Sequence, residues 1–275
     1  MRVVILKTAE EVSLRAAEII ANEVRRQPST VLGLATGSTP LATYKRLIDC
    51  HRSGELSFAK VTTFNLDEYV QLPPEHPQSY RTFMHNELFQ HLDIDPQRCH
   101  IPDGMAREQD YAALGSKYEQ SIAAAGGIDL QLLGIGTDGH IAFNEPGSSL
   151  ASRTRLKALT EQTRRDNSRF FASLDDVPKL AVTMGVGTIL EARRILLLAT
   201  GASKADAVRA FIEGAVTSQN TASALQLHPS VTVVLDESAA NWLQRRDYYR
   251  EVEAVQRELE LRSDRYFQLL DHGKD

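Results

Sequence analysis

The chain has 275 residues, of which 42% are hydrophobic and 24% charged, the composition of an ordinary globular protein. Its net charge is −5 and it has no Lys- or Arg-rich tract, which argues against a nucleic-acid partner. No apolar run approaches the ~18 residues of a membrane span, and the run at 3–6 is too short for a signal peptide. Cys50 and Cys99 fit neither a redox motif nor a disulfide framework, so we expect reduced thiols in a cytoplasmic protein.

Apolar spacing predicts strands and helices in alternation along the chain. The helix over about 9–26 follows Thr8, which stands three residues before Glu11 as in a capping box. The pattern weakens at 151–180, which is either a mobile lid over a site or an ordinary surface excursion. The remaining strands are predicted at 3–6, 30–35, 61–66, 130–135, 181–184, 195–199 and 230–235, and the remaining helices from 40 and over about 78–91, 107–124, 188–192, 203–213 and 237–270.

This alternation predicts the fold class and the place where a site should lie. We expect one α/β domain over 1–275, with an open, mainly parallel twisted sheet and helices on both faces, in a Rossmann-like arrangement. Ligands of such folds bind outside the carboxyl ends of the strands. Polar residues that directly follow a predicted strand are therefore the candidates for chemistry.

Three titratable residues follow the predicted strand at 130–135. Asp138, His140 and Glu145 come within eight residues of one another. Histidine titrates near neutral pH, and a carboxylate can orient it as a proton shuttle. Alternatively, the two acids are turn and cap residues and His140 is an ordinary surface group. We expect no metal, because no second histidine lies near His140 in the sequence.

The stretch T-G-S-T-P at 36–40 lies between a predicted strand and a helix start. Gly37 allows the backbone to approach a ligand, while the hydroxyls of Ser38 and Thr39 and the free N–H groups of a helix start favour a small phosphate. This stretch has neither a Walker A nor a G-x-G-x-x-G pattern, so it does not support nucleotide binding. The alternative is a capped turn with no ligand.

A second stretch of this kind, T-G-A-S-K at 200–204, adds the cation Lys204. Arg169, in the weakly patterned segment, is a further candidate because a guanidinium matches phosphate geometry. Each cation could equally be a solvated surface group. Elsewhere, Asp67 ends the third predicted strand next to Glu68, where it is either a general base or a cap.

Taken together, these segments resemble the glucosamine-6-phosphate deaminase family, in the family's order and over almost the whole chain. The D-G-H-I-A-F-N-E-P run at 138–146 is highly specific and separates the deaminases from distant relatives that hydrolyse 6-phosphogluconolactone. The matching segments are T-G-S-T-P at 36–40, F-N-L-D-E-Y-V at 64–70, G-I-G-T-D-G-H-I-A-F-N-E-P at 134–146, S-S-L-A-S-R-T-R-L-K at 148–157, N-S-R-F-F at 167–171, V-P-K at 177–179 and L-Q-L-H-P at 225–229.

The resemblance implies conversion of glucosamine 6-phosphate and water to fructose 6-phosphate and ammonia. Asp67 would remove the C2 proton of the open-chain sugar, and His140 would open the pyranose ring with Asp138 and Glu145 as its partners. The chemistry requires no redox or pyridoxal cofactor. The residues that would hold the 6-phosphate are Gly37, Ser38, Thr39, Arg169 and Lys204.

Regulated members of this family are hexamers that bind N-acetylglucosamine 6-phosphate between subunits. Ala158 departs from the threonine of those relatives, so activation is one hypothesis and a plain solvent or subunit contact the other. The positions that match the second site are Ser148, Ser149, Arg155 and Lys157, with Tyr248 or Tyr249 as the matching tyrosine.

Two further functions are compatible with the same fold. A non-catalytic sugar-phosphate sensor would need an attached DNA-binding segment and should lack Asp67 or His140, yet both are present. A hydrolase of sugar-phosphate lactones should lack Asp67 and the acids on either side of His140. The sequence therefore favours the deaminase.

Overall fold

The computed structural model describes residues 1–168 and 171–272. Within those ranges no helix is long and apolar enough to cross a membrane. The strands are β1 Arg2–Leu6, β2 Val31–Leu34, β3 Thr62–Asn65, β4 Asp67–Tyr69, β5 Cys99–His100, β6 Leu130–Leu133, β7 Arg155–Ala158, β8 Leu180–Thr183, β9 Arg194–Ala199 and β10 Val231–Asp236. The helices are α1 Ala9–Arg26, α2 Leu41–Arg52, α3 Tyr80–Glu87, α4 Tyr111–Ala124, α5 Glu161–Ser168, α6 Val186–Leu190, α7 Ala205–Glu213 and α8 Arg246–His272.

Seven strands form one sheet in the order β1-β10-β9-β6-β2-β3-β5, and all neighbouring pairs are parallel. Its central strands are short apolar runs buried on both faces, as expected when helices cover each side. The α/β class and the mainly parallel sheet predicted from the sequence are confirmed.

The first helix shows how local signals set an element. The hydroxyl of Thr8 accepts a hydrogen bond from the N–H of Glu11 (3.2 Å), and the Glu11 carboxylate accepts one from the N–H of Lys7 (2.7 Å). The buried face then carries apolar residues at helical spacing. The helix spans Ala9–Arg26, which agrees with the predicted range.

A second sheet has the order β4-β8-β7, with both pairs antiparallel, and it was not predicted. The chain passes from one sheet to the other at Leu66. Its N–H donates to the carbonyl of Leu34 (3.2 Å), and its carbonyl accepts from the N–H of Met184 (2.7 Å). Asp67 is therefore the first residue of the second sheet, directly beside the end of β3.

Part of the weakly patterned segment 151–180 is regular, because β7 and α5 lie within it. Whether it moves as a lid remains a prediction. The C-terminal helix begins at Arg246, later than the predicted 237. The Glu213 carboxylate accepts hydrogen bonds from the N–H groups of Gln244 (2.9 Å) and Arg245 (3.0 Å), which marks this later helix start.

Candidate active site

Four candidate segments follow four strands that are neighbours in the seven-stranded sheet. T-G-A-S-K follows β9, the turn with Asp138 and His140 follows β6, T-G-S-T-P follows β2, and Asp67 follows β3. The sheet order β9-β6-β2-β3 places their carboxyl ends side by side. Segments far apart in the sequence are thereby assembled at one edge, where α/β folds bind ligands.

Asp67 is buried, with 6% of its surface exposed. Burial raises the pKa of its carboxyl to about 8, and the neighbouring charge of Glu68 adds to this effect. Removing a carboxylate from water disfavours its charged form, so the proton is held more tightly. At neutral pH the group can therefore both take and return a proton.

Glu68 is also buried but has a different environment. Its carboxylate accepts hydrogen bonds from the N–H groups of Tyr69 (2.9 Å), Tyr80 (2.9 Å) and Arg81 (3.0 Å). Burial raises its pKa, and these bonds oppose that rise. Because Tyr80 begins α3, Glu68 ties the start of that helix to the strand of Asp67.

His140 and Asp138 form a close pair. The imidazole Nδ1 lies 2.6 Å from Asp138 Oδ1, which also accepts from the backbone N–H of His140 (3.1 Å). Partial burial opposes ionisation of Asp138, but the contacts with His140 outweigh it and lower the pKa of that carboxyl. Gly136 makes room for the ring, since a Cβ there would lie 2.3 Å from Nδ1.

Glu145 has different hydrogen-bond partners from this pair. Its carboxylate accepts from the N–H (3.1 Å) and hydroxyl (2.8 Å) of Thr160 and from the hydroxyl of Thr163. No hydrogen bond joins it to His140 among the contacts of the described residues. The structure thus places Asp138 as the direct partner of His140 and Glu145 as an anchor for the start of α5.

Thr183 links the base to the histidine turn. In the second sheet it is the register partner of Asp67. Its hydroxyl accepts a hydrogen bond from the N–H of Phe143 (3.1 Å), three residues beyond His140. The two candidate proton-transfer groups are therefore held by one strand, β8.

The T-G-S-T-P turn is open to a ligand. Gly37 adopts φ +93°, and no atom lies within 4 Å of the position of a Cβ. Ser38 and Thr39 line a cleft of 650 Å³ together with Thr200 of the T-G-A-S-K segment. The two hydroxyl-rich turns predicted to hold phosphate therefore border the same space.

The T-G-A-S-K turn is fixed by a residue that sequence reasoning missed. The N–H of Gly201 donates to both oxygens of Asp236 (3.1 and 2.9 Å), which ends β10. Gly201 itself has φ +88°, a conformation that favours glycine. Lys204 ends this turn and is half-buried, while Arg169 lies outside the described residues.

The positions expected for an activator fall into different surroundings. Ser148 is buried and Ser149 exposed. Arg155 and Lys157 lie on the same face of β7, two residues apart. The Arg155 guanidinium donates to Asn144 Oδ1 (2.9 Å) and the Arg153 carbonyl (3.2 Å). Arg155 is thereby connected to the loop that carries His140 and Glu145.

The candidate tyrosines lie on α8. Tyr248 is 59% exposed, whereas the Tyr249 hydroxyl donates to Glu213 (3.2 Å). Helix α8 packs against β1, the edge strand of the seven-stranded sheet opposite β5. Arg155 lies on β7 in the three-stranded sheet, so Tyr248 and Arg155 belong to different parts of the fold.

Sequence reasoning also missed the residues that hold the site through long-range contacts. They carry no local signal, because each is an ordinary polar residue whose partner is distant in the sequence. They are Glu68 at the first N–H groups of α3, Thr160 and Thr163 on Glu145, Thr183 on the histidine turn and Asp236 on Gly201.

Fold and site together define an α/β enzyme with a buried carboxyl, a histidine–carboxylate pair and two hydroxyl-rich turns at the strand ends. Over residues 6–237 the chain matches the family described as glucosamine-6-phosphate isomerases/6-phosphogluconolactonase. This match shows that the chain belongs to that family, and the resemblance inferred from the motifs is confirmed.

Individual relatives cover nearly the whole chain. The glucosamine-6-phosphate deaminase of Hahella chejuensis is 54% identical over 92% of this chain and 96% of its own length. That of an Arthrobacter species is 55% identical over 91% of this chain and 95% of its own. A solved structure described as a monomeric glucosamine-6-phosphate deaminase is 50% identical, with a TM-score of 0.85, and covers 88% of this chain and 99% of that one.

Proposed function

We propose that this protein is a glucosamine-6-phosphate deaminase, which converts glucosamine 6-phosphate and water to fructose 6-phosphate and ammonia. The observation that carries the proposal is the buried Asp67 together with the His140–Asp138 pair, which follow strands of the same parallel sheet at its carboxyl end. The names of relatives at 54% and 55% identity support it. Lactone hydrolysis removes no proton from carbon, so it does not require a base placed at C2 of the sugar.

In the proposed mechanism, His140 acts first. It accepts the proton of the C1 hydroxyl and delivers it to the ring oxygen as the bond between C1 and that oxygen breaks, which opens the ring to the aldehyde. Asp138, ionised and 2.6 Å from Nδ1, fixes the orientation of the imidazole and stabilises its charged form. Glu145 assists indirectly, by holding the segment that begins at Thr160.

Asp67 then takes the proton from C2, which the adjacent aldehyde has made acidic. The resulting enol is reprotonated at C1, which leaves an imine at C2. Water adds to this imine, and ammonia leaves with the electron pair of the C2–N bond. Each well-placed acid or base contributes about 10²–10⁴ in rate, so proton transfer by Asp67 and His140 suffices without a cofactor.

The 6-phosphate would lie against Gly37, Ser38 and Thr39, with Lys204 supplying positive charge. Two features support this placement, the open space at Gly37 and the cleft common to Ser38, Thr39 and Thr200. Arg169 completes the proposed phosphate site. Fixing the phosphate orients C1 and C2 relative to the two proton-transfer groups.

The direct test is release of ammonia from glucosamine 6-phosphate by the purified chain. We expect release with fructose 6-phosphate formed in equal amount. A parallel assay with 6-phosphogluconolactone should show no hydrolysis above the spontaneous rate. A folded protein that released no ammonia, or that hydrolysed the lactone instead, would contradict the proposal.

We further propose a cytoplasmic role in N-acetylglucosamine catabolism, with activation by N-acetylglucosamine 6-phosphate in a hexamer. The presence of Ser148, Ser149, Arg155 and Lys157 supports activation. The departure at Ala158 and the monomeric relative stand against it. Oligomer size measured in solution, with and without the activator, tests the hexamer.

Lys157→Ala tests the activator site. Lys157 lies two residues after Arg155, on the same face of β7, and is only half-buried, so removing its charge should weaken activation without disturbing Asp67. We expect the activator concentration for half-maximal effect to rise at least about tenfold, the loss of ~1.4 kcal/mol of binding free energy, with the maximal rate largely intact. Lys117→Ala is the matched surface control, and an unchanged response in Lys157→Ala would show that this site is not used.

A further inference from the structure

A cleft of 610 Å³ lies between α3 and the residues around the edge strand β5. Asp67, His140 and the two hydroxyl-rich turns are not among its lining residues. Its volume falls in the range of about 300–1,000 Å³ that small-molecule sites occupy. We call it the α3 cleft, and the six residues that define it are Arg81, His85, Phe89, Leu92, Ile94 and Ile101.

The floor of the α3 cleft is apolar. Ile94 and Ile101 are 7% and 8% exposed, and Phe89 and Leu92 are half-buried beside them. All four pack into or against the main hydrophobic core, so the floor is rigid. Covering such a surface with an aliphatic or aromatic group of a ligand is favourable, because it removes apolar area from water.

One wall of the cleft is cationic. Arg81 and His85 lie four residues apart on α3, and residues at this spacing lie on the same helix face. Both are exposed, and no hydrogen bond or ion pair of either side chain occurs among the described residues. Glu75 lies on the lining, and the charge of Arg81 also acts on the nearby Glu68. Neither carboxylate forms an ion pair with Arg81 among the described residues, so its guanidinium keeps its hydrogen-bond donors for an anion.

Cys99 also lines the cleft, and it does not work against an anion there. Burial raises the pKa of its thiol to about 11, so the group is neutral at physiological pH. A neutral thiol adds to the apolar part of the lining. The chemistry of the cleft is therefore an apolar floor with one positively charged wall.

We infer that the α3 cleft is a second binding site, for a small carboxylate with an apolar body. The body would lie on Ile94 and Ile101, and the carboxylate would accept hydrogen bonds from the Arg81 guanidinium, with His85 one turn further along α3. This site is separate from the proposed phosphate site, because none of Gly37, Ser38, Thr39 and Lys204 lines the α3 cleft.

Octanoate is the probe for this inference, and the two cysteines of the chain report where it binds. Cys99 lines the cleft and Cys50 does not, although both are half-buried free thiols. We expect octanoate to slow alkylation of Cys99 by iodoacetamide in the full chain while Cys50 reacts at an unchanged rate. Octanol, which lacks the charge, should protect Cys99 at least tenfold less effectively at equal concentration.

Arg81→Gln should raise the octanoate concentration for half-maximal protection at least tenfold, whereas the matched exposed control Arg25→Gln should leave it unchanged. Circular dichroism establishes that both variants are folded. The inference is overturned if octanoate protects neither cysteine, protects both alike, or protects Cys99 equally in Arg81→Gln. Equal protection by octanol would also overturn it, because the cationic wall would then play no part.

Discussion

Asp67 and Glu68 are adjacent in the sequence, yet their surroundings give them different tasks. The Glu68 carboxylate accepts hydrogen bonds from three backbone N–H groups and fixes the start of α3. Asp67 is buried, and its pKa of about 8 reflects burial first and the charge of Glu68 second. One carboxylate of the pair is therefore structural, and the other is free to exchange a proton.

Asp67→Asn should abolish exchange of the C2 proton with solvent while the substrate still binds. The amide has nearly the same shape but cannot accept the proton, and loss of a general base costs about 10²–10⁴ in rate. The measurement is deuterium incorporation from D₂O into glucosamine 6-phosphate, with substrate affinity determined separately. Exchange at a near wild-type rate would reject Asp67 as the base, and Asp110→Asn, at a distant surface acid, serves as control.

The pKa of Asp67 also predicts a pH profile. The base must be ionised to act, so kcat/KM should rise with pH and level off above about 8. The contribution of Asp67 to the free energy of unfolding changes with pH in the opposite direction. The folded pKa lies above the unfolded one, so the contribution of Asp67 is fully present below the unfolded value near 3.8 and is lost as pH rises through about 8.

The pH dependence of kcat/KM and that of the free energy of unfolding can both be measured by comparing the wild-type protein with Asp67→Asn. Urea unfolding between pH 6 and pH 9 should show a fall in the free energy of unfolding that is smaller in Asp67→Asn. Identical pH dependence in the two proteins, or a kcat/KM already level at pH 6, would contradict the assigned pKa.

At the scale of elements, the contact between Glu145 and α5 joins the histidine loop to the segment at 160–168. Thr163 is buried, and its hydroxyl donates to the Glu145 carboxylate. The segment at 151–180 is therefore not an independent surface excursion at its amino-terminal side. The placement of Thr160 and Thr163 in this segment depends on the Glu145 carboxylate.

Thr163→Val should loosen α5 without altering the base. Valine keeps the volume but leaves a buried carboxylate with one hydrogen bond fewer, which costs about 1–3 kcal/mol. We expect faster proteolytic cleavage within 161–180 and a lower kcat. Glu161→Gln, on the exposed face of the same helix, is the matched control and should change neither. Equal cleavage rates in wild type and Thr163→Val would show that this contact does not hold the segment.

The same elements show how far sequence reasoning reaches. Helix α1 was predicted over its true range because its cap and apolar spacing are local signals. The parallel sheet followed from the alternation of elements. The sheet β4-β8-β7 could not be predicted, since its strands have only three or four residues and their pairing partners lie over a hundred residues apart between β4 and β8.

The candidate site also combines residues that local signals reveal with residues that only the three-dimensional structure reveals. Residues that follow strand ends, such as Asp67 and His140, can be found from the sequence, because the fold class dictates where such residues meet. Their partners are only partly local. Asp138 is two residues from His140, but the threonines on Glu145 and the aspartate on Gly201 are found only in three dimensions.

At the scale of the whole molecule, the order of strands accounts for the site. Each of β9, β6, β2 and β3 contributes one segment, and no segment has the complete chemistry. Helix α8 lies beyond the part of the chain that matches the family, which ends at 237, and it packs on the opposite edge strand β1. The four segments of the candidate site therefore follow other strands than the one against which α8 packs.

Leu66 connects the two sheets, since its backbone is hydrogen-bonded to Leu34 on one side and Met184 on the other. This connection has a consequence for denaturation. The second sheet is built from three short strands, so it can open as a local unit at a lower free energy than the seven-stranded sheet. Opening it would expose Asp67 to water and separate Thr183 from the histidine turn. We expect deaminase activity to disappear at a lower urea concentration than the far-ultraviolet circular dichroism signal, and coincident midpoints would show that the two sheets unfold together.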